Sequence, residues 1–237
     1  MNVSLHGVTA VLFDAGDTLL AIPGSRAIMQ RYLAERELHL EQDAIGRMFD
    51  EAFRTLYYEK RSDGTELCSP ESDRRFWADL YTYVLNGLGV GEKRGEDIIH
   101  RWSHELYDLF TSPEHYALFD DVEESLERLK RAGYKLGIVS NFAPTLKAIL
   151  RHKGILHYFD PVVVSTEVGL EKPNPAIFRL ALELAGLSAE ETLYVGDHDK
   201  NDIWAPNQIG IRAVKIKRYA HMTGDGIVSL RQLGQGV

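Results

Sequence analysis

Ala10-Val11-Leu12-Phe13-Asp14-Ala15-Gly16-Asp17-Thr18-Leu19-Leu20 decides how this chain folds. An apolar run of four residues meets a carboxylate at Asp14. A glycine, a second carboxylate and a hydroxyl follow within four positions. Short apolar runs bounded by turn formers read as buried strands. Asp14 then stands at the carboxyl end of a strand, where ligands bind in open α/β sheets. An unpaired carboxylate buried there is costly, so it calls for a metal, a lysine or backbone N–H groups. The competing reading is an Asx turn or N-cap that closes the strand, and this stretch alone does not separate the two.

The surrounding chain supplies the fold. From Asp120 onward helical and strand patterns alternate. Helices are expected over 121–132, 145–153, 176–185 and 202–208, with strands over 135–139, 161–164, 192–195 and 213–216. Alternation of this kind gives parallel strands joined by right-handed crossovers. The expected fold is an α/β doubly wound parallel sheet. Between Leu20 and about residue 110 the periodicity is helical instead. Ser25 is placed as the cap of a helix over 26–37, and a second helix runs over 43–59. Gly64 breaks the pattern. Ser69-Pro70 reads as an N-cap with proline at the first helical position, opening a helix that ends near Gly87, and a fourth covers 92–110. This predicts two domains: a core of residues 1–20 and 111–237, and a helical insert of residues 21–110. The aromatics spaced through the insert (Phe49, Phe53, Tyr57, Phe76, Trp77, Tyr81) read mainly as its hydrophobic core.

The chain has 237 residues, 44% hydrophobic and 26% charged, the composition of an ordinary globular protein. A net charge of −8 argues against a general nucleic-acid or anionic-membrane binder. Cys68 is the only cysteine, so no intrachain disulfide or cysteine-rich metal site forms. No signal-peptide pattern or bilayer-length apolar run is visible. The expectation is a cytoplasmic protein, monomer or homodimer, with no nucleic-acid or membrane partner.

Polar residues follow the carboxyl ends of several expected strands: Asp14, Ser140 with Asn141, Lys172 and Asp197. In a parallel sheet those ends share one edge. Asp14 and Asp197 can share a hard cation such as Mg2+, which prefers oxygen ligands. Ser140, Asn141 and Lys172 offer donors to an oxyanion-rich group. A metal, a lysine and hydroxyl donors together describe a phosphoryl site. A carboxylate at its centre can act as nucleophile through an aspartyl-phosphate.

In this order the motifs resemble those of the haloacid dehalogenase (HAD) superfamily. They are Phe13-Asp14-Ala15-Gly16-Asp17-Thr18-Leu19, Val139-Ser140-Asn141, Lys172-Pro173-Asn174-Pro175 and Gly196-Asp197-His198-Asp199-Lys200-Asn201-Asp202. The helical insert resembles the C1-type cap of subfamily I. Val139-Ser140-Asn141-Phe142, Phe76-Trp77 and the Lys172-Pro173 context most resemble the branch containing haloacid dehalogenase-like hydrolase domain-containing protein 3. The resemblance implies a hydrolase acting on a small phosphorylated molecule with Mg2+. Asp14 would be nucleophile and metal ligand, residue 16 would give its backbone carbonyl, and Asp197 would complete the metal site. Asn201 and Asp202 would support that site. Thr18, Ser140 and Lys172 would hold the phosphoryl group, with Asn141 orienting it through backbone or amide.

One departure matters. Phosphatases of this family carry an aspartate two positions after the nucleophile, as acid and then base; here that position is Gly16, and Asp17 follows it. A positioned acid is worth about 10²–10⁴-fold. Asp17 or His198 can be cast in that role, although a loop histidine in solvent is the plainer reading of His198. Alternatively the substrates have good leaving groups, or the protein binds phosphorylated ligands with little turnover. A metal-independent 2-haloacid dehalogenase also lacks the acid, and Arg26 or Arg31 would then hold the substrate carboxylate. Lys60 is the candidate for a phosphonatase-type Schiff base, against the plainer reading of a surface lysine.

Overall fold

Five strands end together at the edge where the motif residues collect. The computed structural model describes residues 2–58 and 68–234. Strands β1 (Ala10–Phe13), β4 (Lys135–Ser140), β5 (Val162–Val164), β6 (Thr192–Gly196) and β7 (Arg212–Lys215) form one sheet in the order β5-β4-β1-β6-β7. Every neighbouring pair in it is parallel. The fold is α/β, as the alternation predicts. β1 sits at the centre, with Phe13 opposite Ile138 of β4 and Val195 of β6. That register brings the residues just after β1 level with Ser140 on one side and Asp197 on the other.

Strand alternation assigns the two faces. Val11, Phe13, Ile138, Leu193 and Val195 pack under the helix α6 (Val122–Arg131) and the helix α7 (Leu146–His152). Leu12, Val139, Val163 and Tyr194 pack against α8 (Ala176–Ala185) on the other face. Gly196, the last residue of β6, cannot be anything larger. A Cβ there would lie 2.4 Å from Asp202 Cγ, which packs directly over it.

The segment between β2 (Leu20–Ala21) and β3 (Ala117–Leu118) is helical, and these two short strands pair antiparallel at its base. Its helices are α1 (Ser25–Ala34), α2 (Gln42–Ala52), α3 (Pro70–Gly87), α4 (Val90–Arg94) and α5 (Glu96–Phe110). They enclose a hydrophobic cluster of their own around Leu33, Ile45, Leu80, Val84 and Leu106. Helix α3 starts where Ser69-Pro70 predicts: Ser69 Oγ accepts from Ser72 N, and Ser72 Oγ accepts from Ser69 N.

Other helix ends differ from the expectation. Ser25 is the first residue of α1, preceded by the left-handed Gly24, and makes no side-chain cap. The second helix passes into a π-helical segment, Phe53–Tyr58. The fourth divides at Gly95, whose φ of 88° is open to glycine but strained for other residues. The helix expected over 202–208 is a π-helical turn, Asp199–Trp204, followed by one α turn, Ala205–Asn207. Lys60 and Gly64 lie outside the described residues.

Candidate active site

Asp14 directly follows β1 and is buried. Its Oδ1 accepts from Ser140 Oγ at 2.9 Å and from Lys172 Nζ at 2.7 Å. Lys172 is buried as well and donates onward to Asp202 Oδ1 at 2.6 Å and to the Tyr194 hydroxyl at 3.1 Å. Tyr194 donates in turn to the Val139 carbonyl at 2.7 Å. Asp202 is held at both oxygens, because its Oδ2 accepts the His198 N–H at 3.0 Å.

Carboxylate oxygens of Asp14, Asp197 and Asp202 lie within 4.8 Å of one another. Among the described residues no donor meets the Asp197 carboxylate or the carbonyl oxygen of Gly16. Among the described residues, three carboxylates beside one ammonium would leave two negative charges uncompensated when all are ionised, the charge of a single divalent cation. A hard, oxygen-seeking ion fits this donor set. Asp14, Asp197 and the Gly16 carbonyl have capacity for it, whereas Asp202 is engaged with Lys172 and His198 and braces them.

The electrostatics follow from that imbalance. Burial raises the Asp14 pKa to about 6 against the pull of Lys172, with Asp202 adding to the rise. Burial, then Asp14 and Asp202, raises Asp197 to about 8. Burial opposes the Lys172 charge, but Asp14, Asp202 and Tyr194 outweigh it and hold the ammonium well above its usual range.

Unfolded aspartates titrate near about 3.9, so between roughly that pH and 8 the metal-free folded chain binds more protons than the unfolded chain. Stability therefore falls as pH rises through that window. Calorimetry should show the Tm of the metal-free protein dropping from about pH 5 to about pH 8. Asp197→Asn should flatten the slope, and saturating Mg2+ should raise the Tm most at the alkaline end. A slope that Asp197→Asn leaves intact would contradict the assignment.

The remaining expected residues are distributed as follows. Asn141 Nδ2 donates to the Lys172 carbonyl at 2.8 Å and its Oδ1 accepts the Lys172 N–H at 2.7 Å. The amide therefore positions the lysine loop, and the part left for a ligand is its backbone. Thr18 is a correction: it is fully buried, its Oγ1 has no partner, and it does not line the cavity. Its carbonyl accepts from Arg218 Nε at 2.9 Å and Nη2 at 2.7 Å. Arg218 also grips both oxygens of Asp121, at 2.8 and 2.9 Å. Thr18 thus anchors the loop rather than facing a ligand.

Asp17 occupies the left-handed region at φ 51°, which Asp tolerates better than most residues. Its Oδ1 accepts from the Tyr219 hydroxyl at 2.6 Å, and burial raises its pKa. His198 is not a solvent-facing histidine. It lines the cavity, and its Nδ1 accepts N–H bonds from Lys200 and Asn201, both at 3.2 Å. Those bonds place the proton of the neutral ring on Nε2, and burial lowers the pKa. A neutral imidazole is a weak proton donor, so His198 is a helix cap first. Asn201 reaches the cavity wall. Arg26 lines the cavity and pairs with Asp50 at 3.4 Å, while Arg31 is exposed and does not.

Tyr194, Arg218 and Tyr219 are absent from the sequence-based expectation. Tyr194 carried a signal: it is the polar-tipped residue of an apolar strand that runs into Gly196-Asp197. The other two act across 200 positions of chain and carried none.

The sequence model of the haloacid dehalogenase-like hydrolase family matches residues 8–210. The chain belongs to this family. Among curated relatives, haloacid dehalogenase-like hydrolase domain-containing protein 3 of Danio rerio is 31% identical, covering 88% of this chain and 84% of its own. Phosphoserine phosphatase of Thermus thermophilus is 36% identical, covering 88% of both. Two solved structures share the fold. A putative HAD-hydrolase of Bacillus subtilis bound to magnesium has a TM-score of 0.70 at 19% identity, covering 93% of this chain and 94% of that one. L-2-haloacid dehalogenase of Xanthobacter autotrophicus has a TM-score of 0.63 at 20% identity, covering 90% and 79%. The family makes this chain a HAD-like hydrolase, an enzyme. Among the described residues no helix is long and apolar enough to cross a membrane.

Proposed function

We propose that this HAD-like hydrolase is a Mg2+-dependent phosphatase of small phosphorylated molecules. The observation that carries the reading is the charge cluster: Asp14 and Asp202 share Lys172, and among the described residues Asp197 stands without a donor beside them. A dehalogenase has no use for that surplus of carboxylates. Phosphatase-named relatives agree with the choice.

Mg2+ bound by Asp14, Asp197 and the Gly16 carbonyl would polarise the phosphoryl oxygens and offset their charge. Asp14 attacks phosphorus through the carboxylate that Ser140 and Lys172 orient. The phosphorus–oxygen bond to the substrate alcohol breaks, and its electron pair leaves on the alcohol oxygen. Water then attacks the aspartyl-phosphate, the bond to Asp14 breaks, and phosphate and a proton depart. Residues 21–110 act as the cap that covers the crevice and selects the substrate. With glycine at position 16, the leaving alcohol receives no proton from that side chain, so poor leaving groups depart slowly.

The test is phosphate release from acetyl phosphate with Mg2+ and with EDTA, beside halide release from 2-chloropropionate in EDTA. Phosphate release that EDTA abolishes, with no halide, is expected. Halide release in EDTA would replace the reading with a dehalogenase, and neither product would leave a binding protein.

A further inference from the structure

Above the carboxylates the cavity, about 460 Å3, is walled largely by aromatic rings, with Ser25, Arg26, Asp50 and Thr111 also lining it. Trp77, Tyr81 and Phe110 form a stacked ladder, with centroids 6.3 and 5.4 Å apart and planes within 30° and 16°. Phe53 and Tyr57 pack on Trp77 at 6.0 and 6.2 Å, and Phe49 closes the row against Phe53, Tyr81 and Phe110 at 6.0–6.5 Å. The sequence reading places five of these rings, all but Phe110, mainly in the core of the insert. Phe49 and Tyr81 are buried in that core, whereas Phe53 and Trp77 are only half-buried, and all six rings line the cavity.

The described lining also carries Ser25, Asp50 and the Tyr57 and Tyr81 phenols, together with Thr111, whose hydroxyl donates to the Tyr107 carbonyl. The phenols of Tyr107 and Tyr116, which also line the cavity, are engaged with Asp73 and with the Phe110 carbonyl. Among the described lining residues the lysine and arginine cations are Lys172 and Arg26, and each faces carboxylates of the protein. Among the described lining residues a substrate carboxylate therefore meets no lysine or arginine that lacks a carboxylate partner of the protein. Pockets that select hydroxyl-rich or charged ligands bond those groups directly.

The missing acid points the same way. Nothing but Phe142 Cε2, at 3.8 Å, approaches the position of a Cβ on Gly16. Position 16 therefore opens onto free space beside that ring and supplies no proton donor. A phenol, with a pKa near about 10, leaves as its anion far more easily than an alcohol resembling water, near about 15.7. An aryl leaving group would both fill the aromatic chamber and depart without a proton donor.

Resting on the phosphatase reading, we propose that the preferred substrates are aryl phosphates, esters of a flat, uncharged aromatic alcohol of one or two rings. Sugar phosphates and phosphoamino acids are disfavoured.

Binding and turnover test this separately, with the full chain and saturating Mg2+. By calorimetry, 1-naphthylmethylphosphonate should bind at least tenfold more tightly than methylphosphonate; a smaller ratio overturns the proposal. For turnover, kcat/KM for 1-naphthyl phosphate should exceed those for phosphoserine and glucose 6-phosphate at least 100-fold. Either of them matching it overturns the proposal. Trp77→Ala should lower the ratio of kcat/KM for 1-naphthyl phosphate to that for acetyl phosphate at least tenfold, and an unmoved ratio overturns the role of the wall. If acetyl phosphate is not hydrolysed while the naphthyl phosphonate keeps its tenfold advantage, the phosphatase reading fails and the aromatic site stands.

Discussion

Asp14→Asn abolishes phosphate release, by about 10⁴-fold or more, the scale seen when a nucleophile is removed, and it does so in a protein that is folded and no less stable. The first half follows from the chemistry. An amide oxygen at position 14 can still accept from Ser140 and Lys172, but it cannot form an acyl phosphate that water hydrolyses. The second half follows from the electrostatics. Burial raises the pKa of Asp14 despite Lys172, so at pH 8 its charge opposes folding. Asp14 is also the largest charged contributor to the rise at Asp197. Neutralising it relieves both groups, while Lys172 keeps Asp202 as a partner. Calorimetry at pH 8 without Mg2+ should give a Tm equal to or above that of the wild type. A variant that keeps a tenth of its turnover would remove Asp14 from the role of nucleophile. A lost fold would mean that Lys172 needs both carboxylates. The separation of activity from stability is the usual signature of a site held in a strained charge state for function.

What the sequence discloses depends on whether an element is decided locally. The parallel sheet is legible because each strand is a short apolar run with a turn former behind it, and because helices separate the strands. The convergence of Asp14, Ser140, Lys172 and Asp197 then follows from topology. Helix periodicity is less informative about which hydrogen bonds close the turn. The same apolar spacing serves α turns and the wider π turns at 53–58 and 199–204, and π segments recur at functional sites. The strands β2 and β3 have two residues each, too few for alternation to register. Thr18 was misplaced for another reason. A motif states which residue occupies a position but not where its side chain points, and the Arg218 bonds to its carbonyl are set by chain 200 residues away. The aromatic rings show the limit of a two-way choice between core and ligand surface. On α2, the π segment and α3 one aromatic stripe serves both: Phe49 and Tyr81 are buried in the core and still reach the cavity that Phe53, Tyr57 and Trp77 line.

Gly16→Asp raises turnover of alkyl phosphates about 100-fold, within the range of a positioned acid, and leaves acetyl phosphate nearly unchanged. The backbone permits the substitution: Gly16 is not in the left-handed region, and the nearest side-chain contact for a Cβ is ordinary van der Waals distance from Phe142. The left-handed strain falls on Asp17, which stays bonded to Tyr219. A carboxylic acid at 16 would stand over the leaving oxygen, donate its proton as the phosphorus–oxygen bond breaks, and then take one from the attacking water. Alkyl esters need that proton, whereas an acyl phosphate leaves as a carboxylate and does not. The expected result is therefore a change in the dependence of kcat/KM on leaving-group pKa, from steep in the wild type to shallow in the variant. A series of phenyl, benzyl and ethyl phosphates measures it. The new carboxylate also adds negative charge near Asp197, so the metal should bind more tightly at high pH and the gain should be largest at saturating Mg2+. A wild-type dependence that is already shallow, and that Gly16→Asp leaves unmoved, would mean that another group supplies the proton. Asp17 would be the first to test, since its carboxylate lines the cavity and burial has already raised its pKa.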